Sequence, residues 1–305
     1  MMLNITLNTD DNYLQHCMAM LCSLFENNKK NSITIHVLKK NLSSSSEKQI
    51  VDLTHKYDNY VKFYDVDESS LVGVQFRKNR PLSMAAYYRL LLSSILPQNI
   101  DKVLYLDCDM IVLTDVSELF KIELDEYGLA ATLDEFPYDN QHRLQLHLPC
   151  DAKTFCSGIM LVNLKYWREH NIEPKLLEYA KRQRQVVYLH DQDVLNYAFK
   201  NKWFLLPPKW NRGATNYNCF APHLYKKFDI YEYIKKPAVI HYAAPWLKPW
   251  YDVKYPYTNL YRHYLKKSGY ETPIFVKVPI SKRILVLKLR ATLFIKNFVK
   301  KISLR

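Results

Sequence analysis

The chain has 305 residues, 48% of them hydrophobic and 24% charged, which is enough apolar material for one large α/β core and too much for a disordered chain. Its net charge of +13 is concentrated at one end: nine Lys and Arg and no Asp or Glu follow Pro273, leaving +4 for the remainder. A basic tail of that kind argues against a nucleic-acid groove across the main body.

Residues 5–7 predict a first strand, followed by a polar turn over 8–12 and a helix to about residue 27. This opening suits a mononucleotide cradle, yet five glycines in all and no Gly-x-Gly-x-x-Gly disfavour a dinucleotide or P-loop site. In the turn, Asp10 and Asn12 can hydrogen-bond a base edge while Tyr13 stacks on it. The same residues also serve as turn formers and an N-cap, and both readings stay open. Strands over 33–38 and 61–66 flank a helix whose start is marked by Ser43 to Ser46 and Glu47. Strands alternating with helices imply a largely parallel sheet.

A helix is predicted over 83–96, with Arg89 set among Tyr and Leu neighbours until Pro97 stops it; the guanidinium either meets an anion or carbonyls, or snorkels to solvent. It leads into DKVLYLDCDMIVL (101–113), the stretch on which the rest turns. Residues 103–106 predict a strand buried on both sides, and Asp107 and Asp109 follow it one residue apart. In an extended chain their side chains leave on the same side, at the carboxyl end of the strand where open α/β sheets bind ligands. Two like charges between apolar runs need compensation, and Mg²⁺ or Mn²⁺ bridging carboxylates to a substrate phosphate would supply it. A chance Asp-x-Asp turn is the alternative.

Further on, a short helix is expected near Ser117, a strand over 129–133 ending in Asp134, and a strand over 158–164 preceded by Phe155-Cys156-Ser157. Asp191-Gln192-Asp193 opens a helix over 194–199; acids there are explained by the helix dipole, and equally suit a grip on sugar hydroxyls. A last strand over 238–240 delivers His241, with Lys248-Pro249-Trp250 seven residues later.

The ordered set Asp10 to Tyr13, Tyr88-Arg89-Leu90, Asp101 to Asp109, Phe155 to Asn163, Asp191 to Asp193 and His241 to Trp250 resembles glycosyltransferase family 8, in particular its bacterial lipopolysaccharide galactosyl- and glucosyltransferases. The match spans most of residues 3–251. The resemblance implies a single GT-A domain, Rossmann-like and nucleotide-binding with a mostly parallel central sheet. It also implies Mn²⁺, with Mg²⁺ as the alternative ion, and a retaining transfer of hexose from UDP-galactose or UDP-glucose to a saccharide or glycolipid acceptor. Carried over by position, Asp107, Asp109 and His241 hold the metal and Lys248 contacts the diphosphate. Asp10, Asn12 and Tyr13 contact uridine, while Arg89, Asp134, Asp191 and Gln192 lie beside the donor sugar, with Asp193 in the same catalytic segment.

This chain departs from the pattern at two places. Cys156 stands where the family carries a sugar-binding Asn, and a thiol lacks an amide's donor and acceptor set; it is either a retuned sugar contact or a small buried filler. Ala244 replaces a glycine beside the phosphate, and the interval to Lys248 is one residue longer. A non-catalytic UDP-sugar or glycan-binding relative, or a transferase with another donor, is therefore the alternative function. The segments 138–150 and 211–222, where acceptor loops are expected, carry no transferable code.

Six cysteines without a Cys-x-x-Cys pair, and an opening that turns polar too early for a secretory signal, lead us to expect a reducing cytosol. After a domain expected over 1–272, Ile284, Leu287, Ala291, Ile295, Phe298 and Ile302 form one helical stripe, with Lys282, Arg283, Arg290, Lys300 and Lys301 largely opposite. This basic amphipathic tail (273–305) is expected to lie on an anionic membrane, at the inner face of the cytoplasmic membrane, or alternatively to dock on the domain.

Overall fold

Apolar residues at alternating positions place two cores on the two faces of one sheet. In β4 (Lys102–Leu106), Leu104 and Leu106 join the core formed with the Leu14–Glu26 and Ser44–Lys56 helices. Val103 and Tyr105 join the other, against the segments 84–95, 164–182 and 191–198. The structure is a computed structural model that describes residues 1–74, 84–134, 140–149, 151–182, 189–200, 202–213, 236–244, 248–252, 257–280 and 283–284.

With β1 (Met2–Thr9), β2 (Ser32–Lys39), β3 (Tyr60–Asp65), β6 (Leu129–Leu133), β7 (Phe155–Asn163) and β8 (Trp203–Leu205), the seven-stranded sheet has the order β3-β2-β1-β4-β7-β6-β8. All its strands run the same way except β7, which is antiparallel to both neighbours. The chain builds outward from β1 to β3, then crosses back to lay β4 on the free side of β1. Strand order reverses there, and the crevice beyond the carboxyl ends of β1 and β4 is the ligand position such sheets provide.

A second sheet of β5 (Met110–Val112), β9 (Arg212–Gly213) and β10 (Val239–His241) has the order β5-β10-β9. It continues the chain directly past the carboxylate pair and sets His241 opposite Met110. The end of the Leu14–Glu26 helix clamps it. Ser23 Oγ accepts from Val112 N at 2.9 Å, and Asn27 Nδ2 donates to Val112 O at 3.0 Å. Buried Asn28 accepts from Val116 N at 2.8 Å and donates to Leu24 O at 2.8 Å.

The parallel α/β architecture is as expected, and β6 spans the predicted residues 129–133. The region predicted as one helix over 83–96 instead forms a 3₁₀ helix, Met84–Leu91, followed by a single α turn, Leu92–Ile95. Tyr87 to Ser93 are all buried, so this stretch has no solvent face for an amphipathic α-helix to present. Downstream of the main body, Gln15 exchanges hydrogen bonds with the backbone of Ile274 at 2.6 and 3.1 Å, and Val276 N donates to Trp250 O at 2.9 Å. Residues 281–282 and 285–305, most of the expected basic helix, lie outside the described residues. Among the described residues no helix is long and apolar enough to cross a membrane.

Asn28→Ala strands a buried amide and a buried carbonyl at the point where the helix holds the chain beyond the carboxylates. We expect a loss of about 1–3 kcal/mol in unfolding free energy, measured by urea titration.

Candidate active site

The short turn after β4 exists because two strands compete for the chain: Asp107 N still pairs with Gly158 O of β7 at 2.9 Å, whereas Met110 already belongs to the second sheet. Asp107, Cys108 and Asp109 span that switch. The Cys108 thiol turns inward and donates to Asn8 O at 3.3 Å, and the two flanking carboxylates point the other way, towards β10. His241 Nε2 lies 3.3 Å from Asp109 Oδ1 and 3.9 Å from Asp107 Oδ2. One ligand atom from each of the three residues fits within 4.8 Å of the others. Two carboxylate oxygens and one imidazole nitrogen form a donor set that suits Mn²⁺ or Mg²⁺. Gly158 makes the approach feasible: a Cβ there would fall 2.5 Å from His241 Cε1 and 2.9 Å from Asp107 Oδ2. The residues present therefore fit a divalent cation.

Each acid is also paired by protein. Lys248 Nζ stands 2.5 Å from Asp109 Oδ2 and donates to Tyr242 O at 2.6 Å. Burial pushes the Asp109 carboxyl up, but Lys248 and His241 outweigh it and hold the group well below the usual carboxylate range. The same contact acts on the imidazole, where burial opposes the charge and Asp109 overrides it, raising His241 well above its ordinary value. On the opposite flank, buried Arg89 donates through Nη2 to Asp107 Oδ1 at 2.8 Å and meets Asp191 Oδ2 through Nε at 3.1 Å. Its Nη1 donates to Ser157 O at 2.8 Å, and the guanidinium lies 4.4 Å over the Tyr105 ring. Arg89 therefore meets anions and carbonyls and does not snorkel.

Asp191 has the opposite electrostatic outcome. Burial raises its carboxyl, Arg89 only partly offsets this, and the charge of Asp107 adds to it, so the group is pushed up to about 6. Gln192 is held at both ends of its amide: Oε1 accepts from Ser157 N at 3.0 Å and Nε2 donates to Asp134 Oδ2 at 2.6 Å. Asp191, Gln192 and Asp134 thus share one hydrogen-bonded group with Arg89 and Ser157. Asp193, fully buried, is bound elsewhere: it faces His142 at 3.1 Å and accepts from Leu189 N at 2.9 Å, closing the start of its own helix.

At the β1 end, Asp10 accepts from Tyr13 N at 2.9 Å, the turn-forming role, while Asp11 takes Ser43 N at 3.1 Å. Asn12 is exposed, and Tyr13 is 42% exposed with its edge toward Trp250. Trp250 stacks on His16 at 3.5 Å, bringing the Lys248-Pro249-Trp250 segment onto the first helix. Burial drives His16 down to about 3, so the stack is with a neutral imidazole. Cys156 is buried with Sγ 3.8 Å from His241 Nδ1. Ala244 is buried, whereas 245–247, 138–139, 150 and 214–222 lie outside the described residues. Among the described residues, the four cysteines Cys17, Cys22, Cys108 and Cys156 are free and buried.

Sequence reasoning did not single out Tyr105, Ser157, His16 or Asn211. Tyr105 OH donates to Asp107 Oδ1 at 2.9 Å and also bonds Asn8 Oδ1. Its position two before Asp107, on the same strand face, was the available signal. Asn211 and His16 carry none, since the side chains they hydrogen-bond lie 30 residues or more away.

The sequence profile of glycosyl transferase family 8 matches residues 4–254. This chain belongs to glycosyltransferase family 8. General stress protein A of Bacillus subtilis is 28% identical over 272 residues, covering 86% of this chain and 93% of the relative. Lipopolysaccharide 1,2-glucosyltransferase of Escherichia coli is 29% identical over 255 residues, covering 82% of this chain and 73% of the relative. In three dimensions the family 8 enzyme is similar to the galactosyltransferase LgtC, solved with donor and acceptor sugar analogs. The two superpose with a TM-score of 0.73 at 25% identity, covering 92% of this chain and 99% of LgtC. The fold is thus GT-A and the protein a glycosyltransferase.

The raised Asp191 carboxyl links stability to pH. Its neutral form is favoured in the folded state, so its contribution is full below pH 4 and is lost as pH rises through about 6. The stability of the wild type relative to Asp191→Asn should therefore fall by roughly 2–3 kcal/mol between pH 4 and pH 7, read from urea unfolding at each pH.

Proposed function

We propose that this glycosyltransferase moves a hexose, galactose or glucose, from a UDP-sugar to a saccharide acceptor, with a divalent metal ion and with retention of anomeric configuration. The observation that carries the reading is the Asp107, Asp109 and His241 cluster at the strand-order reversal, with Lys248 beside it. Mn²⁺, or Mg²⁺ in its place, supplies Lewis-acid stabilisation of the charge that collects on the departing diphosphate when it is bound there. Lys248 adds a fixed positive charge for the same anion. Asp10, Asn12 and Tyr13 are proposed as the uridine contacts. Arg89, Asp134, Asp191, Gln192 and Cys156 are proposed to border the donor sugar, and Asp193 to fix the helix that presents Asp191 and Gln192. A carboxyl and an amide oriented at both ends suit a centre that becomes oxocarbenium-like as the glycosidic bond breaks.

The acceptor we propose is lipopolysaccharide, lipooligosaccharide or another surface glycan, on the strength of the Escherichia coli lipopolysaccharide relative. The enzyme would then work in the cytoplasm at the inner membrane face. A catalytic domain over 1–272 would be held there by the basic tail 273–305, in which each Lys or Arg near an anionic surface contributes about 1 kcal/mol at most.

Activity should vanish with the metal. EDTA should abolish UDP release from the active donor, and Asp109→Ala should lower turnover by roughly 10²–10⁴-fold with an unchanged circular dichroism spectrum. Normal turnover in EDTA refutes the metal reading.

Product NMR tests stereochemistry. An α-linked donor should give an α-linked product, and a β-linked product overturns retention.

Cutting the chain after Pro279 should release the protein from vesicles rich in anionic lipid while keeping turnover on a soluble acceptor. Undiminished vesicle binding by the truncated protein rejects the anchor.

A further inference from the structure

His241 is the single imidazole in the proposed cation site, and an imidazole can present only one of its two nitrogens to a metal. Nε2 faces the carboxylates, at 3.3 Å from Asp109 and 3.9 Å from Asp107. Nδ1 faces away from them, 2.9 Å from Oδ1 of Asn211. An amide oxygen only accepts, so the hydrogen of this bond belongs to Nδ1. In the neutral ring that leaves the lone pair on Nε2, aimed at the side where Asp107 and Asp109 stand. The Cys156 thiol also approaches Nδ1, but at 3.8 Å and as a weak partner it is the lesser determinant.

The fold makes the Asn211 contact rigid. Asn211 closes the Pro208–Asn211 3₁₀ turn and immediately precedes β9, which pairs in parallel with β10 in the register Ile240 to Arg212 and His241 to Gly213. Ala238 N donates to Lys209 O at 2.9 Å, extending that pairing backward past Asn211. The side chain is buried, with 4% of the residue exposed, so water does not compete for Nδ1. Among the described residues, the Asn211 side chain is paired with the imidazole of His241.

We infer that Asn211 is the positioning residue that keeps His241 in its Nδ1–H form and orients the ring, so that Nε2 is offered to a divalent cation shared with Asp107 and Asp109. The inference rests on the metal reading of the site and names what this chain adds to it. A metal-bound imidazole whose other nitrogen loses its acceptor rotates more freely and is a poorer ligand, with affinity falling ten- to hundredfold in typical sites.

The test uses the full chain and Mn²⁺ as the probe, with bound and free ion read by EPR, for wild type, Asn211→Leu, Asn211→Asp and Asp109→Ala. Asn211→Leu should bind Mn²⁺ ten- to hundredfold more weakly, and Asn211→Asp, which keeps an acceptor oxygen at the same place, should recover to within about threefold of wild type. Wild-type affinity in Asn211→Leu, or equal losses in both Asn211 variants, overturns the inference even when Asp109→Ala abolishes binding and the metal reading stands. Absence of Mn²⁺ binding by wild type, or wild-type binding by Asp109→Ala, sinks the metal reading and the inference with it. Should Asn211→Leu fail to melt cooperatively, Co²⁺-loaded wild type decides by NMR. A slowly exchanging, hyperfine-shifted ring N–H resonance that disappears in His241→Gln is expected, and its absence overturns the inference.

Discussion

Charge burial is the constraint around which this enzyme is arranged. Asp107, Asp109 and Asp191 meet Arg89, Lys248 and His241 in a site where a lone carboxylate or guanidinium would be strongly disfavoured. Each acid is tied to a cation from a distant part of the chain: Arg89 spans Asp107 and Asp191, while Lys248 and His241 flank Asp109. The 3₁₀ segment, the β4 turn, the 191–198 helix and β10 must all be in place before these groups can leave water together. For buried ion pairs in general, desolvation largely offsets the attraction, so they add little net stability compared with apolar packing.

Much of this was legible from the residues. The apolar run before Asp107, the alternation of strands and helices, and the polar openings of two helices identified the sheet and the rim that carries the candidate site. Asp107, Asp109 and His241 converge although 132 residues separate the last two. What was not legible is how the remaining groups are spent. Arg89 reads from sequence as a residue in search of an anion, and only the packed structure shows it bridging two carboxylates while stacking on Tyr105. Asp191 and Asp193 look equivalent on paper, yet helical geometry turns Asp191 to Arg89 and Asp193 to His142. Two residues apart, they sit on opposite faces of a helix with about 3.6 residues per turn, and nothing in their identities distinguishes them.

The 84–95 segment shows the limit of periodicity more generally. Its pattern reads as helix, and it is helical, but seven consecutive buried residues, Tyr87 to Ser93, require contact on every side. Tertiary packing then tightens the backbone into a 3₁₀ form that local propensity would not select. The second sheet was hidden for a related reason. Its strands are two and three residues long; β5 pairs with β10 from more than 100 residues away and β9 from 28, so although the runs 110–113 and 238–240 read as apolar or strand, nothing local showed that they pair or that β9 joins them.

The reversed direction of β7 gives the rim its chemical variety. If every strand ran alike, the carboxyl edge of the sheet would present chain leaving the core and little else. Because β7 enters where β4 exits, outgoing and incoming backbone lie side by side at one place. The outgoing strand brings carboxylates. The incoming one brings the Ser157 amide, which donates to Gln192, the Ser157 carbonyl, which accepts from Arg89, and a position without a side chain at Gly158. Acceptors, donors and empty space thus arise within one hairpin's width, from main chain that is already rigid. Because this polarity comes from main chain, it does not depend on the side chain that the rim carries at Cys156.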